Sequence, residues 1–357
     1  MIVFFILFLI VAFIVERWSV EHSLDGVIYD QRVSRAIVEI GESFDVVTSV
    51  RNTSRRFIPF IKLSEDVPRV LGVNARMFTV GFDENRARIN STIYMMPRQR
   101  MTRRITASLG ARGRYTFNGA TLYGGDFLGL SERPRYFPQL REAVVLPKRL
   151  DSKRLDETLG GFLGDISVRR FILEDPVLTL GFREYTGREP MKQISWPVTA
   201  RTGQMMVKNY DHTLELTVTV ALNIDTKLYG YASHPLMEKC FSIARDVCET
   251  LEERHIQYSF LTNAVSINMI SAWAYVPDGL GGAHIATILE GLGRATYANR
   301  GSARTLVEGA VRRTESGRAH IFISPTAVDI PDEALSILRD RTGANVLIIS
   351  AEEVEEE

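Results

Sequence analysis

The feature that most constrains this fold is a change of hydrophobic periodicity along the chain. Across residues 20–146, short runs of alternating apolar and polar residues are separated by turn residues, which predicts successive β-strands. From residue 214 onwards, apolar runs such as 214–224 alternate with amphipathic helical patterns such as 235–255. These two hydrophobic patterns predict two domains, an all-β domain followed by an α/β domain.

The strand spacing in the first half is typical of a small β-sandwich of immunoglobulin-like architecture. Strands separated by helices in the second half predict a mostly parallel sheet with right-handed crossovers. We therefore predict an α+β multidomain protein with a transmembrane helix at its amino terminus. The predicted segments are a membrane anchor (1–18), the β-sandwich (20–146), a linker (147–181), a segment of unusual composition (182–208), the α/β domain (209–351) and an acidic tail (352–357).

The charge balance narrows the class of partner. The chain has 357 residues with 43 basic and 43 acidic side chains, so its formal net charge is zero. A dedicated nucleic-acid-binding protein needs clustered excess positive charge, and we therefore predict no nucleic-acid partner. The two cysteines, Cys240 and Cys248, lie on one predicted helix. Their separation there is about 12 Å, which is too long for a disulfide.

Residues 2–15 form an unbroken apolar run at the amino terminus. The run is shorter than the ~20 residues that a spanning helix prefers, but Trp18 could lie at a membrane interface. A cleaved signal peptide is the alternative, although no basic residue precedes the run and no small-residue cleavage site follows it. Arg17, Arg32 and Arg35 follow the run. By the positive-inside rule, we predict a single-pass cell-membrane protein whose soluble domains face the cytoplasm.

Charged, aromatic and small residues are interleaved in residues 182–208 without a helical or strand period. A surface loop has little use for Tyr185 and Trp196, and a plain core strand has little use for Arg183 or Arg201. This composition predicts a buried or half-buried polar network in which paired charges hold two packed pieces together. The candidate site residues are Arg183, Glu184, Tyr185, Gly187, Glu189, Ile194, Trp196, Ala200 and Arg201.

The same segment resembles the signature of the DUF58 family. The matching positions are Arg183, Glu184, Tyr185, Ile194, Trp196, Ala200, Arg201 and Val207. The chain departs from the family pattern at Gly187, which comes one position early, and at Glu189, where the family usually has Asp. Lys192 replaces the usual Arg, and Pro197 follows the tryptophan. The resemblance implies a β-sandwich, an α/β domain similar to a von Willebrand factor type A domain, and action beside MoxR-type AAA+ ATPases in assembling or maturing envelope complexes.

Two roles for the candidate residues are open. As a structural clamp, they would hold the segment onto the first strand of the α/β domain, where breaking a buried charge pair costs about 3–5 kcal/mol. As an exposed docking surface, they would supply the Trp, Tyr and Arg side chains in which interfaces are enriched. An Arg201→Ala variant separates the two roles by its effects on stability and on partner binding.

The resemblance also implies a cation site in the α/β domain. In competent von Willebrand-type domains, the first strand ends in D-x-S-x-S, whose oxygens hold a divalent cation. Here the strand ends at Asp225 and Thr226, while Lys227 and Tyr229 occupy both hydroxyl positions. An ammonium group at Lys227 would compete with a bound cation. We therefore predict a degenerate site, with no metal and no cofactor.

The sequence contains no recognisable catalytic constellation. None of its six histidines belongs to an HExxH motif, and Ser195 lacks both a G-x-S-x-G elbow and an assignable base. We predict a non-enzymatic, membrane-anchored adaptor protein. One alternative is an extracytoplasmic adhesion or wall-associated module whose anchor is an uncleaved signal. A further alternative is a hydrolase that uses Ser195 or Asp225.

Overall fold

Two compact units make up the fold, Met1–Lys148 with Leu289–Ala295, and Arg149–Ile288 with Thr296–Glu357. Each unit has its own hydrophobic core. The structure is a computed structural model that describes residues 2–73, 79–81, 85–125, 131–172, 179–187, 189–210, 216–228, 230–267, 273–314, 317–342 and 345–354.

The first unit begins with helix α1 (Ile2–Glu21), which exposes large apolar side chains such as Phe4 to solvent. No helix among the described residues has the length and apolarity needed to cross a membrane. Strands follow α1 up to Lys148. They are β1 (Val27–Val33), β2 (Ile37–Val38), β3 (Phe44–Asn52), β4 (Ile58–Pro68), β5 (Leu71–Val73), β6 (Thr79–Gly81), β7 (Arg86–Met95), β8 (Arg100–Leu109), β9 (Gly113–Gly125) and β10 (Glu132–Val145).

These strands form two sheets that pack face to face. One sheet has the order β1-β3-β8-β5, and the other has the order β2-β10-β9-β4-β7-β6. Described neighbours run antiparallel, except that β2 runs parallel to β10. Apolar residues of both sheets, such as Val46 on β3 and Phe117 on β9, share one core cluster. The prediction of a β-sandwich is therefore confirmed.

A polar layer crosses this sandwich between two apolar clusters. On β4, Leu63 belongs to one cluster and Val67 to the other, with Glu65 between them. Side chains two residues apart on a strand point to the same face, so Glu65 points into the core, where it is 1% exposed. Arg103, on β8 of the opposite sheet, forms an ion pair with it. A buried charge pair thus joins the two sheets.

After Lys148, the chain changes to mixed helix and strand. Helix α2 comes first, and a hairpin with an inserted helix precedes the alternating part. The elements are α2 (Lys153–Ile172), β11 (Thr179–Glu184), α3 (Trp196–Thr202), β12 (Met206–Tyr210), β13 (Thr217–Leu222), α4 (His234–Glu253), β14 (Gln257–Thr262), β15 (Ala264–Ser266), β16 (Tyr275–Gly279), α5 (Gly282–Arg294), β17 (Ala295–Asn299), α6 (Ala303–Arg313), β18 (Ala319–Ser324), α7 (Asp332–Thr342) and β19 (Val346–Ser350).

A five-stranded sheet of order β16-β14-β13-β18-β19 organises the second unit. Strands β14, β13, β18 and β19 run parallel, and β16 runs antiparallel to β14 at one edge. Helices α6 and α7 cover the face that carries Ala221, Leu261 and Phe322. Helix α4 packs against β13, β14 and β18. One crossover leads from β13 to β14 and another from β18 to β19, so the strand order reverses between β13 and β18.

The segment predicted to be a linker holds a helix instead. Helix α2 contains three glycines, which lower helix propensity and favour the prediction of a loop. The helix forms because packing of its apolar stripe outweighs that local preference. The buried residues of the stripe are Leu155, Leu159, Leu163 and Ile166.

Helix α6 was not predicted from the sequence, and neither was the antiparallel direction of β16 in a sheet expected to be mostly parallel. The apolar run 271–276 also predicts a strand; the observed strand β16 begins at Tyr275, and residues 271 and 272 lie outside the described part of the chain. Strand direction is decided by the connection between strands, which apolar periodicity does not encode.

Candidate functional site

The segment with the candidate residues folds around the hairpin of β11 and β12, and we call residues 179–210 the hairpin module. The two strands pair antiparallel, with Arg183 opposite Val207. Between them lie the short 3-10 helix Met191–Gln193 and α3. Ile194 forms an isolated bridge with Val207, and both side chains are buried. The module therefore has a small apolar contact of its own.

Glu189 joins the two sides of the turn that follows β11. Its carboxylate forms an ion pair with Arg183 and accepts hydrogen bonds from the Thr186 amide at 3.0 Å and hydroxyl at 2.8 Å. The hydrogen bond from Arg183 is the main cause that lowers the pKa of Glu189 to about 2. The stabilisation by this lowered pKa is present above the ordinary carboxyl pKa and is lost as the pH falls towards 2. Gly187, with φ of 87°, supplies the left-handed conformation that the turn requires.

Helix α3 is held against β12 by two hydrogen bonds to the backbone of Met206. The Ser195 amide donates to the Met206 carbonyl at 2.8 Å, and the Met206 amide donates to the Thr199 hydroxyl at 3.0 Å. Pro197 lies in the first turn, where a missing amide hydrogen costs nothing. Gly203 ends the helix in the left-handed conformation, with φ of 73°. The position of α3 is thus fixed without burial of its outer side chains.

The candidate residues do not form the buried charge network that the sequence suggested. Of the nine, Ile194 alone is buried, and Tyr185 and Glu189 are half-buried. Trp196 is 59% exposed, and Glu184, Ala200 and Arg201 are exposed as well. The prediction of a buried network is therefore wrong for Glu184, Trp196 and Arg201. Arg183 and the half-buried Glu189 do form an ion pair. The physical reason for the difference elsewhere is that backbone hydrogen bonds and Ile194 hold the module together, so Glu184 and Arg201 are left in solvent.

Other large apolar side chains of the hairpin module are exposed together with Trp196. Exposed apolar residues that are scattered singly need no explanation, whereas a contiguous apolar patch marks an interaction surface. Sequence reasoning did not single out these residues, although apolar residues inside a highly polar stretch are a usable signal. They are Phe182, Met191 and Met205.

A second group of polar residues lies at the carboxyl edge of the five-stranded sheet. Asn223 follows β13, Asn263 follows β14, and Ser324 ends β18, and all three are buried. The Asn263 amide donates to Asn223 Oδ1 at 2.7 Å, and the Asn223 amide donates to Ser324 Oγ at 3.0 Å. The sequence analysis missed this network, although each residue directly follows or ends a buried apolar run. It joins three strands at the edge where α/β proteins bind ligands.

Asp225 lies three residues beyond β13 and caps the first turn of another helix. Its Oδ1 accepts a hydrogen bond from Asn299 Nδ2 at 2.9 Å, and its Oδ2 accepts one from the Ala303 amide at 3.1 Å. Ala303 is the first residue of α6. A carboxylate at this position satisfies an unpaired amide and interacts favourably with the helix dipole. Both oxygens of Asp225 are therefore engaged by the protein.

The two residues after Asp225 make hydrogen bonds that stabilise the loop after β13. The Thr226 hydroxyl accepts from the Leu228 amide at 3.2 Å, and the Lys227 amide donates to Asp329 Oδ1 at 3.1 Å. In the described residues, no group of three or more His, Cys, Asp or Glu is arranged to hold a metal ion. The divalent cation implied by a von Willebrand-type domain does not fit Asp225, because the carboxylate is already bonded on both oxygens. Tyr229 lies outside the described residues.

The Ser195 hydroxyl and the two cysteine thiols are poorly placed to act as nucleophiles. Ser195 is buried and its hydroxyl makes no capping hydrogen bond. Cys240 and Cys248 are buried on α4, and burial raises the pKa of both thiols well above the ordinary value. A thiol with a raised pKa stays protonated at neutral pH and is a weak nucleophile.

No family model matches this chain, and no curated protein sequence matches it. Among solved structures, it is similar to a cohesin module of a family 33 glycoside hydrolase from Clostridium perfringens, with 7% identity, a TM-score of 0.25, and coverage of 33% of this chain and 96% of that one. It is also similar to a non-cellulosomal cohesin from Archaeoglobus fulgidus, with 12% identity, a TM-score of 0.23, and coverage of 33% and 91%. The CARDB domain of a Pyrococcus furiosus protein matches with 12% identity, a TM-score of 0.22, and coverage of 33% and 91%. Similarities this low carry no argument about function.

Proposed function

We propose that this chain is a non-enzymatic adaptor that is anchored to a cell membrane by α1 and binds a protein partner through the hairpin module. The observation that carries the proposal is Trp196, a large aromatic side chain that is 59% exposed on a fixed short helix. Trp and Arg are the residue types that dominate binding energy at interfaces, and Arg201 is exposed on the same helix. Exposure favours the docking role of these residues over the clamp.

The rigidity of the hairpin module supports the same role. Met206 bonds to both Ser195 and Thr199, and Glu189 joins Arg183 to the following turn. A surface that is already ordered loses less conformational entropy when it binds, so more of the contact energy is available for affinity.

The nature of the partner rests on the resemblance of residues 183–207 to the DUF58 signature. We propose a MoxR-type AAA+ ATPase as the partner and a von Willebrand factor type A-like fold for the α/β domain. A mostly parallel sheet of five strands with packed helices supports the fold proposal. The engaged oxygens of Asp225 favour protein contacts over cation binding as the mode of action.

We expect Trp196→Ala to weaken binding to a MoxR-type ATPase from the same organism by about tenfold or more, because central aromatic residues are typical hot spots. Thermal stability should stay unchanged, since the side chain is largely in solvent. Titration calorimetry with the two full-length proteins and a thermal melt of each variant provide the measurement.

Ile337→Ala on α7 is the matched control, because it also truncates an exposed apolar side chain of the second unit. It should leave binding unchanged. Arg201→Ala extends the test to the charged part of the surface. A large loss of thermal stability in Trp196→Ala or Arg201→Ala would support the clamp instead, and full binding by both variants would contradict the adaptor proposal.

We also propose that α1 anchors the protein and that both units face the cytoplasm. The described side chains of α1 include seven exposed large apolar residues between Phe4 and Ile14. Transfer of that much apolar surface into lipid is favourable. Basic residues follow the helix, which favours a cytoplasmic location of the chain that comes after it. The alternative is an outward-facing adhesion module.

Cysteine labelling of intact cells tests the orientation. In a Glu352→Cys variant with Cys240 and Cys248 replaced, we expect protection from a membrane-impermeant reagent until the cells are lysed. Glu352 is exposed, so the new thiol is accessible once the reagent reaches it. Labelling before lysis would contradict the cytoplasmic orientation and favour the adhesion module.

A further inference from the structure

We infer that the rim of the β-sandwich beside α1 is a binding surface for the anionic headgroups of a lipid bilayer; this rests on the proposed anchoring by α1. Two segments form the rim, residues 51–60 and residues 91–104; each is a turn with the strand ends beside it, and we call them the two loops. The loops contain no Asp or Glu. Six arginines of these ranges are exposed, and one of them, Arg104, forms an ion pair with Asp45. The other five, which we call the arginine rim, are Arg51, Arg55, Arg56, Arg98 and Arg100.

The two loops are held together beside the end of α1. The side-chain amide of the buried Asn52 donates to the Arg56 carbonyl at 2.8 Å and to the Met96 carbonyl at 3.1 Å. The Arg98 amide donates to the Ser54 carbonyl at 3.1 Å. These contacts fix the spacing of the arginines, so the arginine rim is a preorganised cationic surface.

Aromatic side chains connect the arginine rim to α1. The Arg56 guanidinium lies 5.0 Å from the ring centroid of Trp18, which is on α1 and 53% exposed. Phe57 and Tyr94 are exposed neighbours with ring centroids 6.4 Å apart. Trp18, Arg56 and Phe57 also line one small cavity. Trp and Tyr prefer the membrane–water interface, because their rings are apolar and their polar atoms remain hydrated.

Like charges face each other within the arginine rim. Arg51 on β3 lies directly opposite Arg100 on β8 in the antiparallel pair, and such pairs are destabilising in water. Other arginines of the same region are neutralised, since Arg103 pairs with Glu65 and Arg104 with Asp45. An anionic lipid headgroup beside Arg51 and Arg100 would relieve their repulsion. The geometry therefore points to a flat anionic surface, which a bilayer beside α1 provides.

Vesicle flotation of the full chain tests this inference. We expect binding to phosphatidylcholine vesicles through α1, and about tenfold or stronger partitioning into vesicles that also contain phosphatidylglycerol, because each arginine near an anionic surface contributes favourably. The gain should disappear in high salt, which screens the surface charge. Arg55→Gln with Arg56→Gln should lower the gain several-fold, and Arg98→Gln with Arg100→Gln should do the same from the other loop.

Arg339→Gln with Arg341→Gln is the control, because it removes the same charge from exposed positions on α7. It should keep the full preference for anionic vesicles. Equal binding of the unmodified chain to both kinds of vesicle would overturn the arginine rim as a lipid surface and leave the α1 anchor standing. Failure to bind any vesicle would overturn both. If a variant is misfolded by circular dichroism, the lipid and salt dependence of the unmodified chain decides the question.

Discussion

A Glu65→Gln variant is expected to lose about 3–5 kcal/mol of unfolding free energy in the β-sandwich, because it leaves the charge of Arg103 without its buried partner. Glu65 is 1% exposed, and the Thr48 hydroxyl also bonds to it. The Tyr29 hydroxyl donates to Glu65 Oε1 at 3.2 Å. Because the chain has two units, hydrogen exchange of peptides from β4 and β8 is the suitable measurement, and it reports the first unit by itself.

Glu42→Gln is the control for this prediction. Glu42 pairs with Arg35 at the surface, where a lost ion pair costs about 0–1 kcal/mol. Replacing both members of the buried pair, with Glu65→Leu and Arg103→Met, should recover part of the lost stability, since an apolar pair of similar volume leaves no buried charge. The recovery should be incomplete, because the Tyr29 and Thr48 hydroxyls lose their acceptor. A loss below about 1 kcal/mol in Glu65→Gln would mean that water reaches Arg103 and that the charge pair does not join the sheets.

We expect Arg318→Ala to destabilise the second unit by about 2–4 kcal/mol, because it removes a buried guanidinium together with its bidentate ion pair and two further hydrogen bonds. Arg318 is 6% exposed and precedes β18. Its guanidinium donates to both carboxylate oxygens of Asp278 on β16, at 2.8 Å and 2.6 Å. It also donates to the hydroxyls of Thr219 and Ser259, each at 3.3 Å. Asp278 is exposed at the sheet edge, whereas Thr219 and Ser259 are buried, so the buried guanidinium of Arg318 ties the antiparallel edge strand to the parallel strands.

Hydrogen exchange of the β16 peptide measures this effect locally, and β16 should lose protection before β13 does. Arg341→Ala removes an exposed arginine from α7 and is expected to change little. A double variant with Asp278→Ala gives the coupling between the two side chains. A coupling below about 0.5 kcal/mol would show that the ion pair does not hold the edge strand.

The sequence was most informative where one strand or helix contains its own signal. The run 214–224 predicted a buried strand, and β13 lies within it. The pattern over 235–255 predicted an amphipathic helix, and α4 occupies His234–Glu253 with its apolar positions buried. Periodicity is a local property that burial imposes on each element, so it can be read without knowledge of the neighbours.

The candidate residues were harder to interpret, because their role depends on exposure. Trp and Arg side chains such as Trp196 and Arg201 are expected both in a buried polar network and in a docking surface. The two roles are distinguished by the exposure of these side chains, which follows from the two hydrogen bonds between Met206 and α3. No local pattern encodes a helix that is fixed by its backbone and leaves its aromatic side chain in solvent.

By itself, the sequence determined the β-sandwich, the mixed helix-and-strand part that follows it, and the balanced charge. The tertiary structure alone decided which polar groups meet. The Asp225 carboxylate accepts hydrogen bonds from Asn299 and Ala303, which are 74 and 78 positions further along the chain. Glu65 forms an ion pair with Arg103, which lies on the opposite sheet. Apolar burial is non-directional and repeats along an element, whereas a polar contact needs one partner at one distance and angle. Which polar group becomes the partner is determined only when distant parts of the chain pack together.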